Sequence, residues 1–376
     1  MASDGSSITV FGQPDTRAVH QLARCVEAEE GARGVLCADA HVGYSQPIGG
    51  AVAYRDHVSV TGTGVDIACG NKAVKTDLRV DDIKGSMPGI ADEIARRISF
   101  GMGRVNDEPV DHPVLDRIRE APFAPQRALA DLAGKQLGTV GGGNHYVDVF
   151  AGEDGAVWVG VHFGSRGFGH KTASGFLALA QGLEFTGRAR EGGMDAPPVL
   201  FRIDSDLGLS YIEAMTLAGE YAYAGRDVVV DKVLEILGAD ATYEVHNNHN
   251  FSWRETHHGE DWWVVRKGCT PAWPVQAGFV GSTMGEASVI LEGTPSAERA
   301  LFSTVHGAGR VMSRTQARGK WKKGRQIKPG AIDFERVKDK LARQGIELRG
   351  GDADEAPRAY KRLEEVLSHH GDTYPS

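Results

Sequence analysis

Five side chains suited to metal binding stand in segments rich in glycine and asparagine. Asp66 and Cys69 lie three residues apart in GVDIACG, His145 lies in GGGNHYVDV, His162 lies at the end of VWVGVHF, and His249 lies in HNNHNF. Each of them alone is most simply a core or surface residue. Together they form a ligand set for two divalent ions, for which zinc is the first expectation from ligand chemistry. Two adjacent metal ions would indicate phosphoryl chemistry.

Glycine-rich turns elsewhere in the sequence indicate phosphate binding. Arg166 stands in SRGFG, Arg310 stands in HGAGR, and GSTMG at 281–285 adds small hydroxyl residues. Successive backbone N–H groups in such turns can converge on an anion. His306 opens HGAGR and is suited to be an acid at a phosphate, a hydrogen-bond donor or a covalent nucleophile. The spacing does not select among these three roles.

The composition is typical of a soluble globular protein with an unusual amount of glycine. The 376 residues include 49 glycines and carry a formal net charge of −8. Because phosphate contacts need local positive charge, a nucleic-acid binder of this net charge must concentrate its basic residues. One segment does so, with Trp321 among Arg318, Lys320, Lys322, Lys323, Arg325 and Lys328. This segment is interpreted either as an RNA contact or as a solvated, flexible loop.

The cysteines and the apolar stretches indicate the cellular compartment. The four cysteines form no CxxC pair and no disulfide framework. The first residues, MASDGSSITVFG, lack a secretory pattern, and no apolar stretch approaches the ~20 residues that span a membrane. The sequence therefore predicts a cytoplasmic protein.

The apolar patterns predict strands and helices that position these loops. Helices are predicted at 16–30, 90–99, 112–133, 332–344 and 356–369, and two more within 208–237, where Gly238 is the expected C-cap. Strands are predicted in VLCADA, GAVAYR, VSVTG, VWVGV and WWVV, and HFGSRGFGH is predicted to be a loop. Strands and helices do not alternate regularly, so the predicted class is α+β. Since the candidate loops run from residue 39 to residue 310, one intertwined domain is expected.

The motifs resemble those of the RtcB RNA ligases and occur in the order of that family. The similarity is carried by DAHVGYSQPIGG, GVDIACGN, GGGNHYVDV, HFGSRGFG, HNFSWRE, VVRKGCTPA, GSTMGEAS and VHGAGRVMSRTQA, followed by ELRGGDADEAPRAYKRLEEV. It covers roughly residues 31–366. The resemblance implies a single large α+β domain of the RtcB type over residues 1–376, with mixed sheets, surrounding helices and a site built from glycine-rich loops.

The resemblance also implies an activity and its cofactors. The family joins RNA ending in a 2′,3′-cyclic phosphate or 3′-phosphate to RNA starting with a 5′-hydroxyl, in RNA repair or tRNA splicing. It uses GTP and two Mn²⁺ ions, so manganese replaces zinc as the expected metal. By motif, His306 is the nucleophile that carries GMP. The implied ligands are Asp66 and His145 on one ion, His162 and His249 on the other, and Cys69 as the bridge.

The resemblance further implies a set of guanylate contacts. These are Asn144, His145, Tyr146, Val147, Asp148, His249, Asn250, Gly281, Ser282, Thr283, Met284, Ser288, His306, Gly307, Ala308, Gly309 and Tyr360. Tyr360 has an alternative interpretation as a buried tyrosine on an amphipathic helix. Asp39 and His41, in DAHVGY, are interpreted either as helpers in opening the cyclic phosphate or as part of a structural turn.

Several positions depart from the family pattern. Asp148 stands where Glu is usual, Phe163 stands where a small Ser is common, and a Gly-Ser pair precedes Thr283 where PGSMG is typical. The last strand of the family ends in Val-Lys-Gly, whose lysine reads guanine, and GDTYPS does not match it. The departure implies either that other groups hold guanine or that nucleotide binding is weaker.

Two other functions are compatible with these residues. One is a metal-dependent phosphoesterase that opens cyclic phosphates on RNA ends without ligation. The other is an RNA-end-binding relative that no longer catalyses. The sequence does not decide whether an activating protein of the archease type is required.

Overall fold

The structure, a computed structural model, describes residues 7–190, 193–322, 325–371 and 373. Its strands are β1 (Ile8–Val10), β2 (Arg33–His41), β3 (Ile48–Tyr54), β4 (His57–Ser59), β5 (Gly70–Arg79), β6 (Tyr146–Ala151), β7 (Ala156–Phe163), β8 (Leu200–Arg202), β9 (Ala241–Asn248), β10 (Asn250–His257), β11 (Glu260–Lys267), β12 (Cys269–Pro271), β13 (Ala277–Val280), β14 (Val289–Glu292), β15 (Ser303–Val305), β16 (Gly319–Lys322) and β17 (Arg325–Pro329).

Helices of very different length surround these strands. They are α1 (Thr16–Glu27), α2 (Val60–Thr63), α3 (Val80–Ile83), α4 (Met87–Arg97), α5 (Pro113–Arg119), α6 (Ala124–Arg127), α7 (Ala130–Gln136), α8 (Arg166–Ala180), α9 (Asp206–Leu237), α10 (Arg314–Arg318), α11 (Phe334–Arg343) and α12 (Leu363–Ser368). Short 3₁₀ turns occupy Lys84–Ser86, Pro295–Ala300, Ala353–Glu355 and Pro357–Ala359.

Two larger sheets form the centre of the fold. One has the strand order β1-β2-β3-β11-β10, and the other has the order β6-β7-β5-β9. Strand β1 runs parallel to β2, and the other neighbours in both sheets are antiparallel. The pairs β12-β15, β13-β14, β16-β17 and β4-β8 complete the strand pairing of the described residues. The predicted α+β class with mixed sheets is confirmed.

The four-stranded sheet brings four strand ends to one edge. Gly70, the first residue of β5, pairs with both Phe163, the last residue of β7, and Asn248, the last residue of β9. Tyr146, the first residue of β6, pairs with His162. Because antiparallel neighbours alternate in direction, the starts of β5 and β6 lie beside the ends of β7 and β9. The candidate ligands that flank these strand ends therefore gather at one edge.

Helix α9 packs behind this sheet and fixes its position. The Ser205 hydroxyl accepts a hydrogen bond from the Gly208 amide at the start of the helix, and Gly238 takes the left-handed C-cap conformation that the sequence predicts. Val229, Val230 and Val233 pack with apolar residues of β5 and β7 in one buried cluster. Each such side chain stabilises the fold by about 1.5–3 kcal/mol when it is fully buried. The sheet edge is therefore held on a rigid support.

Four predictions of local structure are wrong in detail. Residues 208–237 belong to one helix of 32 residues, Asp206–Leu237, rather than to two helices. The segment predicted as one helix at 112–133 is three short helices, because prolines restart the chain at the first turns of α5 and α6. The predicted loop HFGSRGFGH ends β7 and then begins α8 at Arg166. Only β4 in VSVTG is a strand, since α2 follows it directly.

The prediction of an amphipathic helix at 356–369 holds only for its second half. Pro357–Ala359 form a 3₁₀ turn, Tyr360 is extended, and α12 begins at Leu363. The helices predicted at 16–30, 90–99 and 332–344 are confirmed as α1, α4 and α11. The alternative interpretation of Tyr360 as a tyrosine on a helix is therefore wrong.

The basic segment forms a hairpin in its described part. Strand β16 pairs with β17 in antiparallel register, so these residues form strands rather than the predicted loop, and their contact with RNA stays a prediction. Lys323 and much of the terminal segment GDTYPS lie outside the described residues. Among the helices of the described ranges, none has the length and apolar character needed to cross a membrane.

Candidate metal centre and adjacent histidine

The five predicted metal ligands lie together as two triads that share Cys69. One triad is Cys69, His162 and His249, and the other is Asp66, Cys69 and His145. Within each triad the candidate donor atoms all lie within 4.8 Å of one another. The Cys69 sulfur is 3.4 Å from Nε2 of His162 and 3.7 Å from Nε2 of His145. A thiolate at the shared corner is therefore in position to contact two ions.

Hydrogen bonds fix which ring nitrogen faces the cluster. Nδ1 of His162 lies 2.6 Å from Oδ1 of Asn71, and Nδ1 of His145 lies 3.0 Å from the carbonyl oxygen of Val140. Because both partners can only accept, each Nδ1 carries a proton, and Nε2 is the ring nitrogen that faces the cluster, where Nε2 of His145 also lies 3.1 Å from Oδ2 of Asp66. Partners of this kind orient metal-binding histidines and set their tautomer.

His249 provides an observation that favours a bound cation. It is buried, and neither of its ring nitrogens has a hydrogen-bond partner among the residues that the structure describes. Leaving a buried polar atom unpaired costs about 1–3 kcal/mol. Its ring lies 5.0 Å from that of His162 between centroids. A divalent ion would give one of these two ring nitrogens a partner. The donor set therefore fits a metal pair in both chemistry and placement.

The electrostatics of the cluster also fit cation binding. Burial, followed by repulsion from neighbouring histidines, lowers the pKa of His162 and of His249 well below the ordinary range, so both rings are neutral at pH 7. Burial alone would raise the pKa of Asp66. The hydrogen bond and the charge of His145 outweigh burial, so the pKa of Asp66 is lowered. Burial and the Asp66 charge raise the pKa of the Cys69 thiol. A metal cation reverses that effect, because it stabilises the thiolate.

His306 stands beside this cluster and is oriented by a buried carboxylate. Its ring centroid lies 4.8 Å from that of His249. Its Nδ1 lies 2.6 Å from Oδ2 of Asp39, which also accepts hydrogen bonds from the backbone amides of His306 and Gly307. The Asp39 side chain is fully buried, and that of His306 is 14% exposed. The proton on Nδ1 leaves Nε2 as the basic, nucleophilic atom of the ring.

Asp39 is the buried hydrogen-bond partner of His306 rather than part of a simple turn, and its role in the chemistry stays a prediction. It lies on β2, and His306 follows β15, so 267 positions separate the two residues in sequence. Burial opposes the ionisation of Asp39, but the charge and hydrogen bonds of His306 outweigh it and lower the pKa of the carboxyl group. Nδ1 of His41 donates to the backbone carbonyl oxygen of Asp39, at 3.2 Å.

Several of the predicted guanylate contacts lie around His306. A Cβ on Gly268 would stand 2.9 Å from Cε1 of His306, and the amide of Gly268 donates to Oδ1 of Asn250. A Cβ on Gly307 would stand 3.4 Å from the carbonyl oxygen of Gly281. Asn250, Gly281 and Gly307, which come from three separate parts of the chain, thus lie near the histidine.

Tyr146 joins this group to the metal cluster. Its ring stacks on the ring of His162 with centroids 5.4 Å apart, and a Cβ on Gly281 would stand 2.2 Å from the Tyr146 hydroxyl oxygen.

Hydrogen bonds order the loop that follows Gly281. The Ser282 amide donates to the hydroxyl of Ser288. The hydroxyls of Ser282 and Thr283 both donate to Glu286.

Other predicted contacts are less closely connected to His306. Asn144 and Asp148 are exposed, and the side chain of Val147 packs against the apolar cluster of the four-stranded sheet. Met284 lies near Gly351, where a Cβ would stand 3.5 Å from its Cε. Ala308 is buried in the core, and Gly309 packs so closely on Asp39 that a Cβ would stand 2.1 Å from its carbonyl oxygen. Their contact with a nucleotide remains a prediction.

Tyr360 contacts an arginine rather than the histidine. The guanidinium of Arg310 lies 4.7 Å from the centre of its ring, and the backbones of the two residues form an isolated bridge. The guanidinium of Arg166 covers Gly141, where a Cβ would stand 2.4 Å from its Nη1. Phe163, one of the departures from the family pattern, is buried in the core and does not line the site.

Sequence reasoning missed residues that hold the ligands in place. Asn71 orients His162, and Arg226 donates to backbone and side-chain groups next to three ligands. Asn71 was detectable, because it lies two residues after Cys69 in the motif GVDIACGN. Arg226 lies within a long helix and carries no local signal. Its role depends on contacts that only the folded chain makes.

The fold and the site define an α+β protein with a candidate two-metal centre beside an oriented histidine. Residues 21–129 and 117–373 match the protein family described as tRNA-splicing ligase RtcB. These segments cover most of the chain, and the chain therefore belongs to the RtcB family. The family resemblance inferred from the motifs is confirmed.

Relatives from distant organisms show the same similarity. The RNA-splicing ligase RtcB of Escherichia coli (strain K12) is 28% identical over 363 residues, which cover 89% of this chain and 85% of that protein. The tRNA-splicing ligase RtcB of Archaeoglobus fulgidus is 30% identical over 412 residues, which cover 88% of this chain and 82% of that protein. The RNA-splicing ligase RtcB homolog 1 of Entamoeba histolytica is 26% identical over 431 residues and covers 93% of this chain.

Proposed function

We propose that this protein is an RNA ligase that joins a 2′,3′-cyclic phosphate or 3′-phosphate end to a 5′-hydroxyl end, with GTP as co-substrate and two Mn²⁺ ions. The observation that carries the proposal is the pair of His306 and Asp39, at 2.6 Å, beside the two triads that share Cys69. An oriented nucleophile next to a two-metal centre is the arrangement that phosphoryl transfer needs. Family membership and the names of the relatives support the same activity.

The first chemical step concerns His306. With its Nδ1 proton held by Asp39, Nε2 attacks the α-phosphorus of GTP, a P–N bond forms, and the bond from the α-phosphorus to the bridging oxygen breaks to release pyrophosphate. The metal pair, held by Asp66, Cys69, His145, His162 and His249, supplies charge neutralisation at the phosphates when it is bound. Asp39 stabilises the positive charge that develops on the imidazole.

The next two steps transfer the guanylate and join the ends. A cyclic phosphate is first hydrolysed to a 3′-phosphate. An oxygen of that 3′-phosphate attacks the phosphorus on His306, the P–N bond breaks, and the neutral imidazole leaves. The 5′-hydroxyl then attacks the activated 3′-phosphate, and GMP departs with the bonding electrons. Imidazole suits the carrier role, because it is both a good nucleophile and a good leaving group.

The guanylate would lie between His306 and the converging loops. Contacts to Asn250, Gly281 and Gly307 are expected first, since these predicted contacts lie near the histidine. Arg166 and Arg310 would neutralise phosphate oxygens of the nucleotide and of the RNA ends. The RNA partner is a broken or cleaved end, with tRNA as one candidate, and a protein activator of the archease type is a candidate second partner.

A ligation assay tests the proposal. The substrate is an RNA with a 5′-hydroxyl and a 2′,3′-cyclic phosphate, incubated with GTP and Mn²⁺ and resolved on a denaturing gel. Ligated product that requires both additions and is lost in His306→Ala supports the ligase. His20 lies exposed on α1, and His20→Ala is the matched control that should ligate normally.

Other products would identify the competing functions. Opening of the cyclic phosphate without ligation, dependent on Cys69 but not on His306, would identify a phosphoesterase. RNA binding with neither reaction would identify a binding protein. The assay is repeated with an archease-type activator, so that absence of the activator is not mistaken for absence of activity.

A further inference from the structure

Arg226 is a fully buried cation in the middle of α9, directly behind the candidate metal centre. Its Nη1 donates to the carbonyl oxygens of Ala68, at 2.9 Å, and Phe163, at 2.7 Å. Its Nη2 donates to Oδ1 of Asn248 at 2.6 Å, and its Nε lies 2.8 Å from Nε2 of His246. The four acceptors are on three separate segments of the chain. A single planar guanidinium therefore ties these segments together.

Each segment carries a candidate ligand one residue away. Ala68 precedes Cys69, Phe163 follows His162, and Asn248 precedes His249. These three ligands form one complete triad, with all donor atoms within 4.8 Å of one another. The relative placement of that triad therefore depends on the atoms that Arg226 holds.

The backbone at Ala68 requires support. Its φ is 57°, a left-handed conformation that costs a residue with a Cβ about 1 kcal/mol. The hydrogen bond from Arg226 holds the carbonyl group of this residue. The amide of Ala68 donates to the carbonyl oxygen of Asn250 at 2.7 Å, so the strained turn is held from both sides. This turn sets the direction in which the Cys69 side chain leaves the backbone.

Fold stability alone does not account for this arrangement. The four acceptors are uncharged, and burying a cation that is held by neutral acceptors is expensive compared with apolar packing, although the charges of Asp66 and Asp227 offset part of that cost. The guanidinium also lies over the ring of Tyr223, at 4.8 Å from the centroid, which restricts its tilt. A fork of fixed geometry and fixed tilt is suited to setting distances between segments.

We propose that Arg226 is a positioning residue for the metal pair, which sets the spacing of Cys69, His162 and His249 without touching the metal. This inference rests on the metal site of the proposed function. It predicts that a change at residue 226 weakens metal binding even where the fold survives. A purely structural role predicts a loss of stability with unchanged metal binding.

The test uses Arg226→Lys in the full chain and Co²⁺ as the probe. Lysine keeps the charge but cannot form the fork of hydrogen bonds. The thiolate-to-cobalt charge-transfer band in the near ultraviolet reports the bond to Cys69, and titration gives the dissociation constant. Loss of a group that orients metal ligands weakens binding by about 10- to 100-fold. We expect a loss of that size, with a shifted or weaker band.

Arg266 offers a matched control. It is also fully buried, and it donates to Glu255, to Ser303 and to the carbonyl oxygen of Leu301. None of these groups is a candidate ligand or the neighbour of one. Arg266→Lys should therefore lower the unfolding temperature but leave the Co²⁺ dissociation constant and the band as in the unmodified protein.

The outcomes separate the positioning role from the metal site itself. If the unmodified protein shows no cobalt–thiolate band, the metal site and the inference fall together. If it shows the band and Arg226→Lys binds Co²⁺ with the same constant and spectrum, only the positioning role is overturned. If Arg226→Lys does not fold, Asn248→Ser removes one acceptor of the fork alone, and unchanged Co²⁺ binding in that variant overturns the positioning role as well.

Discussion

Nδ1 of His306 lies 2.6 Å from Oδ2 of Asp39. Asp39 lies on β2 and His306 follows β15, so the fold brings the two residues together from distant parts of the chain. The same oxygen accepts hydrogen bonds from the backbone amides of His306 and Gly307. The carboxylate thus fixes the backbone, the ring orientation and the tautomer of the histidine at once. A histidine held in this way presents Nε2 as its reactive nitrogen.

Asp39→Asn should slow guanylylation of His306 without removing the metals. The amide can donate to Nδ1, which favours the tautomer with the proton on Nε2 and leaves no nucleophilic lone pair there. Changes of this type at an oriented histidine lower the rate by about 10²- to 10⁴-fold. The rate of label transfer from GTP to the protein measures the effect, and the Mn²⁺ content measures the control. A rate within about twofold of the unmodified protein would contradict the orienting role.

The number of bound metals should depend on which ligand is removed. Cys69 belongs to both triads, whereas Asp66 belongs to one and His249 to the other. We expect two Mn²⁺ per unmodified chain, about one in Asp66→Asn and in His249→Ala, and almost none in Cys69→Ala. Equilibrium dialysis followed by elemental analysis gives these values. Two retained ions in Cys69→Ala would rule out the bridging assignment.

Gly164→Ala should disturb the site through Asp66 alone. A Cβ at this position would stand 2.4 Å from Oδ1 of Asp66, which is too close for the carboxylate to stay in place. We expect weaker Mn²⁺ binding by about 10-fold or more, comparable to other changes that displace a ligand. Gly134, in α7, has open space around its Cβ position, and Gly134→Ala is the control that should bind Mn²⁺ normally. Equal affinity in both variants would show that Asp66 is not a ligand.

The metal-free protein should lose stability as the pH falls from 7 to 5. Burial lowers the pKa of His41 to about 4 and, with repulsion from other histidines, lowers the pKa of His162 well below the ordinary value of about 6.5. In this window the unfolded chain binds protons at these rings and the folded chain does not, so acid favours unfolding. Urea denaturation at several pH values measures the trend.

The variant His41→Gln provides the control for this pH dependence. His41→Gln removes one titrating ring, so its stability should fall less steeply between pH 7 and pH 5. A metal-free protein whose stability is constant or rises over that range would contradict the buried, neutral state of these histidines.

The ligands could be predicted from sequence because their residue types are unusual in their settings. Asp66, Cys69, His145, His162 and His249 flank strands of one antiparallel sheet, and the alternation of strand direction brings them to the same edge. A local pattern was sufficient to find each of them. Because the ligands meet at that edge of the sheet, they form the two triads, which share only Cys69.

Glycine misled the prediction where it serves packing instead of a turn. Gly219 lies inside α9, and a Cβ there would stand 2.8 Å from the ring of Phe251, so the residue allows a close approach without ending the helix. Gly167 and Gly169 suggested a loop, but a Cβ on Gly167 would stand 2.6 Å from Oε1 of Gln136, and the segment is the first turn of α8. Close tertiary contacts of this kind have no local pattern.

Asp39 and Arg226 could not be assigned from sequence for a related reason. An aspartate in a turn motif and an arginine within a helix are both ordinary in their local setting. Their roles arise from hydrogen bonds to His306 and to the segments beside Cys69, which are remote in the chain. Positioning residues are defined by such contacts, whereas metal ligands are also marked by their chemistry.

Covalent labelling by GTP tests the central claim most directly. The protein is incubated with Mn²⁺ and GTP labelled at the α-phosphorus, denatured, and divided between acid and alkali. We expect a protein-bound label that is stable to alkali and lost in acid, as is typical of a P–N bond to histidine, and that is present in His20→Ala and absent in His306→Ala. A label that persists in His306→Ala, or an unmodified protein that ligates RNA with GTP but never carries the label, would contradict it.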